Sequence, residues 1–424
     1  MSVQGYIAIV VTIATIYALI KRYETRLVLL TSGLLMCFIA LDPMSALNQF
    51  AKQMTNASLI MAICSAMGFA AVCSMTRADY SLVHYLTRPI KGLGLLLIPI
   101  STVITFLANI AIPSAAGCAA AVAPTLIPVM LRAGIKPVGA AAAVMAGTIG
   151  SLLSPGTSHN VFIANLASMQ IVDFIGTHFF WDLAVGAMVT VGVFAVCLLM
   201  RDHKATEPLN SVMQNREPTF EPNPILALMP VVPIAILVIG NLWLPIIHMG
   251  VAQAMLVGAI LTVVLAVLIN HDNPQDMSKR FFAGAGKGYA DVMGLIISAS
   301  VFACGLRECG LVSSMIEAMQ NSSEIARWGG SIGPFVLAVL CGSGDAATLA
   351  FNEAVTPNAA TFGMQVPQLG ALAFISGALG RTMSPLAAGM IVICGIAQVN
   401  PFEVAKRTAV PCIVSMLVIA VMMV

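Results

Sequence analysis

The chain of 424 residues is 59% hydrophobic and 9% charged, with a mean hydropathy of +0.95 and a formal net charge of +2. This composition is far more apolar than that of a soluble protein, so it predicts a polytopic membrane protein in a lipid bilayer. No basic cluster with interleaved aromatic residues is present, so no nucleic acid is expected as a partner. The ten cysteines show no metal-ligand spacing, which indicates small apolar fillers rather than a metal site.

The first apolar run, 3–20, has no basic residue before or within it and is followed by Lys21 and Arg22. This charge order is the reverse of that in a signal peptide, so a retained first helix is predicted. Runs long enough to span about 30 Å of hydrocarbon lie at 3–20, 27–45, 58–75, 180–200, 224–246, 250–270, 288–306 and 408–424.

Two more complicated regions, 92–176 and 330–400, lie between these runs. Each is predicted to form a re-entrant helical hairpin with a tip of small residues, followed by an interrupted transmembrane helix. The hairpins are predicted at 94–131 and 330–360, and the broken helices at 137–176 and 367–397.

The two broken helices match at a constant offset of 230 residues. Pro137 corresponds to Pro367, Ser154-Pro155 to Ser384-Pro385, and Asp173 to Glu403. The chain is therefore predicted to consist of two repeats, 1–200 and 223–424, joined by a polar linker at 201–222. Matching broken segments in two halves indicate a transporter's binding site at the repeat interface.

The distribution of basic residues favours inverted repeats. With the N-terminus outside, sixteen of the twenty Lys and Arg residues fall in cytoplasmic loops, as the positive-inside rule expects. In this topology the first hairpin opens from the cytoplasm and the second from outside.

Arg381 lies inside the apolar run 370–396, four residues before Pro385. A charged side chain at this depth usually faces a protein interior or watery cavity and marks a ligand pathway. Proline removes a backbone donor, so the helix is predicted to break here. The alternative is a kinked helix in which Arg381 only pairs with a buried acid, and the two interpretations are compatible.

A small anion in a low-dielectric interior is best held by helix N-termini, hydroxyl groups and one cation. Each half offers such groups at its hairpin tip and helix break. The substrate-binding candidates are Ser114, Ser154, Thr157, Ser158, Asn160, Ser343, Arg381, Thr382 and Ser384. Serine and threonine in membrane helices also commonly bond to their own backbone, so each hydroxyl could instead be structural.

Asp345 and His159 are the candidates for coupling chemistry. A lone carboxylate at a glycine-flanked tip could bind a coupling cation, carry a proton or neutralise Arg381 between substrates. His159 at the first break could relay protons or be structural. Na⁺ or H⁺ is thus expected as coupling ion, with no other cofactor.

Three segments resemble the anaerobic C4-dicarboxylate carrier family of the DcuC type, within the ion-transporter superfamily. They are Gly-Ser-Gly-Asp-Ala at 342–346, Leu-Gly-Arg-Thr-Met-Ser-Pro at 379–385 and Asn-Pro-Phe-Glu-Val-Ala-Lys-Arg-Thr at 400–408. The resemblance implies a multi-pass secondary carrier of the bacterial inner membrane for dicarboxylates such as succinate and fumarate. Relatives of that superfamily have inverted repeats, re-entrant hairpins and elevator-type motion, and their dimeric scaffolds leave a homodimer open here.

The leading hypothesis is therefore a secondary active C4-dicarboxylate transporter, coupled to protons or sodium or exchanging its substrates, rather than an enzyme. A carrier for another organic anion or an amino acid is the alternative, and a passive channel is less compatible with a binding site. Gly342 to Asp345 also fit the Gly-x-Gly-Asp signature of intramembrane aspartyl proteases, which need a second aspartate. Asp291 is the only candidate for that role.

Overall fold

The computed structural model describes residues 3–21, 23–87, 94–203, 221–242, 249–312, 314 and 323–423. Every regular element within these residues is a helix, and nine helical segments there are long and apolar enough to cross a membrane. The chain is thus an all-α polytopic membrane protein, as its composition predicts. Most of the predicted linker, 201–222, lies outside the described residues.

The described residues of the first half form ten α-helices: α1 (Val3–Ile20), α2 (Thr25–Ile39), α3 (Pro43–Met54), α4 (Ala57–Met75), α5 (Ala78–Thr87), α6 (Leu97–Ala111), α7 (Ala115–Arg132), α8 (Pro137–Gly147), α9 (Ser158–Leu166) and α10 (Ile171–Leu199).

The described residues of the second half form ten more α-helices: α11 (Pro224–Leu228), α12 (Val232–Leu242), α13 (Val251–Asn270), α14 (Pro274–Gly288), α15 (Gly294–Glu308), α16 (Ser323–Cys341), α17 (Gly344–Ala354), α18 (Val366–Met383), α19 (Ala388–Ala397) and α20 (Pro401–Met422). Four connections between these helices are named the first tip (112–114), the first break (148–157), the second tip (342–343) and the second break (384–387).

Both predicted helix interruptions are present, although some helix bounds differ from the predicted runs. The helix after the first break ends at Leu166, and residues 171–176 begin α10. The predicted run 288–306 belongs to a longer helix, Pro274–Glu308, which continues through one π-helical turn at Tyr289–Met293. Apolar length alone does not reveal these bounds, because α14 carries charged residues before the apolar part begins.

The two helices that precede the breaks form the centre of the molecule. Residues 139–147 of α8 are all buried, as are residues 369–380 of α18. Gly150 lies against the carbonyl oxygen of Phe106 in α6, and Gly380 lies against that of Phe335 in α16. A side chain at either glycine would collide with backbone, so each broken helix approaches its hairpin as closely as glycine allows.

A buried ion pair fixes the start of α8 to the last helix. Arg407 of α20 donates from Nε and Nη2 to Asp202, at 3.0 and 3.2 Å, and Asp202 is fully buried. The Asp202 carbonyl accepts a 2.7 Å hydrogen bond from the Lys136 amide, immediately before α8. The segment after α10, the start of α8 and the N-terminal half of α20 are therefore joined at one point.

Candidate functional site

The two tips and the two breaks form a closed ring of contacts. A methyl group placed on Gly156 of the first break would lie 3.4 Å from Pro113 of the first tip. One placed on Gly342 of the second tip would lie 2.6 Å from the Leu386 carbonyl carbon of the second break. Each tip therefore packs against the break of its own half.

The ring is completed by contacts between the halves. His159 at the start of α9 bonds Asp345 at the start of α17. A methyl group on Gly389 at the start of α19 would lie 3.5 Å from the carbonyl oxygen of Ala115 at the start of α7. The N-termini of four helices, α7, α9, α17 and α19, therefore meet in this ring.

The meeting of helix N-termini has an electrostatic consequence. Each terminus presents backbone N–H groups without intrahelical partners and carries about half a positive elementary charge. A negative ligand is stabilised where such termini converge. The ring therefore favours a small anion.

Arg381 adds a full positive charge to this ring from the last turn of α18. Its Cβ lies 3.3 Å from where a Cβ on Gly344 would be, so it borders the start of α17. Its Nη2 donates a 2.8 Å hydrogen bond to the Thr148 carbonyl at the end of α8. A guanidinium has five N–H donors, and within the described part of the chain this is the one hydrogen bond that the guanidinium of Arg381 makes. The remaining donors can receive a carboxylate.

Asp345 is paired with His159 rather than with Arg381. His159 Nε2 lies 2.8 Å from Asp345 Oδ1, whereas Arg381 and Asp345 form no ion pair within 4.0 Å among the described residues. The histidine is 2% exposed and the Asp345 side chain 59% exposed. The imidazole ring packs on Phe374 at a centroid distance of 4.5 Å, and its buried Nδ1 has no hydrogen-bond partner within the described ranges. The carboxylate therefore has an open side, and the histidine has an unused polar atom.

Most of the predicted hydroxyl groups hold the tips and breaks in shape. Ser114 and Ser343 cap α7 and α17, each accepting a 3.2 Å hydrogen bond from a backbone amide, of Gly117 and Ala346. Three further hydroxyl groups donate to backbone carbonyls: that of Thr157 to Ser151, that of Thr382 to Ala378 and that of Ser384 to Val339. Serine and threonine at these positions thus satisfy backbone groups that the interrupted helices leave free.

Two other predicted residues of the first break differ in exposure. Ser154 is buried, and its carbonyl accepts from Asn160. Ser158, the first residue of α9, is partly exposed, and its hydroxyl has no hydrogen-bond partner among the described residues. Ser158 is therefore the predicted serine that is best placed to contact a ligand.

Two asparagines build the first break. Asn160 donates to the carbonyls of Leu152 and Ser154, at 2.7 and 2.9 Å, while its Oδ1 is buried without a partner. Asn109 of α6 accepts from the Ser151 amide at 2.7 Å and donates to the Ile112 carbonyl at 2.9 Å. Asn109 was not among the predicted site residues, although an amide in the apolar run just before a tip is the signal that could have identified it.

Thr348 is a further residue outside the predicted set. It lies one turn after Asp345 on α17 and is 1% exposed, and its hydroxyl oxygen has no hydrogen-bond partner in the part of the chain that the structure describes. The hydroxyl lies against Gly377 of α18, where no side chain intervenes. Thr348, Asn160 and Asp345 offer oxygen atoms, the ligands that a hard cation prefers. No cluster of three His, Cys, Asp or Glu side chains suited to a transition metal occurs in the described residues.

Residues 4–424 match the family model described as DcuC, C4-dicarboxylate anaerobic carrier. An uncharacterized transporter of Haemophilus influenzae is 38% identical over 282 residues, covering 64% of this chain and 100% of the relative. The anaerobic C4-dicarboxylate transporter DcuC of Escherichia coli K12 is 28% identical over 388 residues, covering 86% of this chain and 79% of the relative.

A solved structure supports the fold. The Alcanivorax borkumensis YdaH transporter, whose topology is described as unusual, aligns with a TM-score of 0.59 and 12% identity. The alignment covers 89% of this chain and 86% of that protein. At this identity the likeness concerns the fold alone.

Proposed function

Because the chain belongs to the DcuC family of C4-dicarboxylate anaerobic carriers, we propose that it is a secondary active transporter of dicarboxylates of the succinate and fumarate type. It is a multi-pass membrane protein of a transporter family. The substrate range, the coupling ion and the residues that bind substrate are parts of the proposal.

One observation carries the proposal: four helix N-termini and Arg381 border one ring of tips and breaks. The free N–H groups of Arg381 would bind one carboxylate of the substrate as a planar fork. The second carboxylate would bind the start of α7 at Ser114 and the start of α9 at Ser158. A dianion matches this arrangement better than a neutral solute, because both of its ends meet donors.

The charge of the substrate calls for a coupling ion. A dicarboxylate carries two negative charges and Arg381 supplies one positive charge. The loaded site therefore needs further cations if its net charge is to stay near zero while the substrate crosses the membrane. Asp345 and His159 are proposed to bind H⁺ or Na⁺ next to the substrate. Support for this comes from the open side of the Asp345 carboxylate and the unpartnered buried oxygens of Asn160 and Thr348.

An elevator-like motion is proposed for alternating access. The proposed architecture has two inverted repeats with re-entrant hairpins, and the proposed topology places the N-terminus outside the bacterial inner membrane. The equivalent contacts of Gly150 with Phe106 and of Gly380 with Phe335 support related packing in the two halves. Such tight contacts favour movement of the hairpins and broken helices as one body. A homodimer is a further part of this proposal.

A carrier of another organic anion or of an amino acid would use the same arginine and helix termini, so only substrate competition separates it from the leading proposal. An aspartyl protease does not fit the geometry. Asp345 bonds His159 and Asp291 lies 3.6 Å from Arg26, so these two acids have different partners instead of sharing a proton. Transporter homologues agree with a chain that is not an enzyme.

The test is uptake of radiolabelled succinate by proteoliposomes that contain the wild-type protein or the Arg381→Gln variant. Saturable counterflow that is strongly weakened in the variant is expected, and accumulation under imposed proton or sodium gradients identifies the coupling ion. Absence of succinate counterflow by folded wild-type protein would overturn the substrate assignment. Fumarate, monocarboxylates and amino acids as unlabelled competitors would then distinguish the alternatives.

A further inference from the structure

A second pair of ionisable side chains lies in α10, outside the ring of tips and breaks. His178 Nδ1 and Asp182 Oδ2 are 2.6 Å apart, one helical turn from each other. Both side chains are 0% exposed. The imidazole also packs on Phe174 at a centroid distance of 4.7 Å. Helix α10 is one of the membrane-spanning segments, so the pair is a buried ionisable site within the membrane domain.

The pair does not satisfy its own hydrogen-bonding capacity. His178 Nε2 and Asp182 Oδ1 are both buried, and neither has a hydrogen-bond partner among the described residues. A buried polar atom without a partner lowers the stability of the fold, and apolar residues of similar size would avoid that loss. Ionisable residues inside membrane segments are usually kept for ion or proton pathways. Two unpartnered atoms in one sealed pair therefore point to a bound ligand.

The elements around α10 contribute few other charges. It packs against α6, α8, α9, α12, α18, α20 and the turn at Gly150–Leu153. No titratable residue occurs in helices α6, α8 and α12 or in that turn. Apart from the pair itself, the titratable or charged residues of α9, α10, α18 and α20 are His159, Asp173, Cys197, Arg381, Glu403, Lys406, Arg407 and Cys412. None of these side chains is hydrogen-bonded or ion-paired to His178 or Asp182. Within this packing, the two residues depend on each other for their charge balance.

The number of protons on the pair decides whether it can stay buried. With one proton, the pair is either an imidazolium and a carboxylate or a neutral imidazole and a carboxylic acid, and its net charge is zero in both forms. Without that proton, a single negative charge remains in a sealed, apolar site, which is strongly unfavourable. The conformation in which α10 buries the pair is therefore stabilised when the pair holds the proton. Loss of the proton favours a conformation in which water reaches the pair. Proton binding and conformation are linked in this way.

We propose that His178 and Asp182 form a proton-binding site of this carrier, separate from the substrate ring. The proton binds when water reaches the pair, remains while α10 is packed against α9 and the first break, and leaves when that packing opens again. On loading, a hydronium ion gives up one O–H bond and becomes water, while one N–H or O–H bond forms on the pair; release reverses this step, and no oxidation state changes. This inference rests on the proposed transport function, because a proton site has a role only in a chain that moves a substrate.

The decisive variant is the double substitution His178→Gln with Asp182→Asn. A glutamine and an asparagine are close in size to the original pair and can hydrogen-bond to each other, but they cannot bind or release a proton near neutral pH. Proteoliposomes would be loaded with a pH-sensitive dye, and proton movement would be measured together with uptake of radiolabelled succinate. We expect succinate counterflow to persist while the number of protons moved per succinate falls by one relative to wild type. Unchanged proton movement in a variant with normal counterflow would overturn the proposal.

The controls separate this inference from the function it rests on. Asp173→Asn changes an exposed acid in the first turn of the same helix and is expected to leave proton movement unchanged. Absence of succinate counterflow in wild-type protein would contradict the transport function itself. Loss of proton coupling in the double variant, with counterflow retained, bears only on the role of His178 and Asp182.

A measurement on the wild-type protein keeps the inference testable if the double variant does not fold. A membrane-permeant carbodiimide attaches to protonated carboxylic acids, and mass spectrometry can locate the product. During succinate exchange, labelling of Asp182 is expected at acidic pH and is expected to decline at alkaline pH. No labelling at acidic pH, or labelling that is independent of pH, would overturn the proposal.

Discussion

His159 Nε2 and Asp345 Oδ1 lie 2.8 Å apart although the two residues are 186 positions apart in the sequence. This contact joins the helix that follows the first break to the helix that follows the second tip. It holds an aspartate at the border of the proposed substrate site without an ion pair to Arg381. Under the proposed function, Asp345 is the negative charge that the substrate would meet and that a proton or sodium ion would neutralise.

Asp345→Asn is expected to strengthen succinate binding and to weaken coupling. The amide keeps an oxygen that accepts from His159, while removal of one negative charge lowers repulsion of the dianion. The KM for succinate counterflow should fall, by up to about tenfold if the gain is near 1.4 kcal/mol. Gradient-driven accumulation should fall, because the variant lacks the carboxylate that is proposed to bind a coupling cation beside the substrate.

The control for this variant is Asp276→Asn in α14, where the acid is exposed and far from the tips and breaks in sequence. The KM for succinate counterflow and the gradient-driven accumulation should both stay at their wild-type values in Asp276→Asn. A KM that rises in Asp345→Asn, together with intact accumulation, would contradict the assigned role.

Arg381→Gln is expected to weaken succinate binding strongly. A hydrogen bond to a charged group contributes about 1.5 to 3 kcal/mol, which corresponds to a loss of roughly 10- to 150-fold in affinity. Arg381→Lys should fall between wild type and the glutamine variant, because lysine keeps the charge but lacks the planar fork. KM values from counterflow measure both effects, with Arg280→Gln on the exposed face of α14 as control. Equal KM values in all variants would remove Arg381 from the site.

The sequence allowed prediction of the membrane class and of where both helices break. The class follows from composition, and the breaks at Ser154-Pro155 and Ser384-Pro385 follow from prolines and small polar residues inside apolar runs. These properties are local, so a single sequence displays them. Repeat orientation, membrane topology and the substrate contacts of the site residues remain predictions.

Contacts between distant segments could not be predicted in the same way. Arg381 was expected to contact substrate or an acid. Among the described residues its side chain donates to the carbonyl of Thr148, 233 positions away, and its contact with substrate stays a prediction. A carbonyl is common to every residue type, so the sequence does not reveal which one accepts. The roles of Thr157, Thr382 and Ser384 were equally hidden, because a hydroxyl group that holds backbone and one that binds a ligand look alike in a sequence.

Gly380→Ala is expected to destabilise the protein. The added methyl group would press against the Phe335 carbonyl oxygen of α16, and overpacking of this kind costs about 1 to 3 kcal/mol. Gly395→Ala in α19 is the matched control, since no atom lies within 4 Å of the added methyl group. Alanine at that position should stabilise the helix by up to about 1 kcal/mol. Thermal unfolding in detergent compares the two variants, and equal midpoints would contradict the close approach.

Asp79 in the short helix α5 makes stability depend on pH. Burial raises the pKa of its carboxyl from 3.8 to about 7, while a hydrogen bond from the Tyr80 amide acts in the opposite direction. Between these two pKa values the folded state holds more protons than the unfolded state, so stability falls as pH rises through this window and levels off above it. Asp79→Asn should flatten that part of the profile and raise stability above pH of about 7.

The measurement is the unfolding midpoint of wild type, Asp79→Asn and Asp276→Asn as a function of pH. The exposed Asp276 should leave the wild-type slope in place. A slope in Asp79→Asn that equals that of wild type would show that the buried carboxyl does not titrate in this range.

The buried pair of Asp202 and Arg407 is expected to contribute far more to stability than the exposed pair beside it. Removing one partner of a buried ion pair leaves an uncompensated charge and costs about 3 to 5 kcal/mol. Arg407→Gln should therefore lower the unfolding midpoint strongly, because Asp202 is fully buried and also fixes the Lys136 amide at the start of α8. Lys406→Ala removes the neighbouring contact with Glu403, where both side chains are exposed, and such pairs contribute about 0 to 1 kcal/mol. Similar losses of stability in Arg407→Gln and Lys406→Ala would contradict this expectation. They would mean that the Asp202 carboxylate reaches water or another cation when Arg407 is absent. In that case the double variant Asp202→Asn with Arg407→Gln would be no more stable than Arg407→Gln alone.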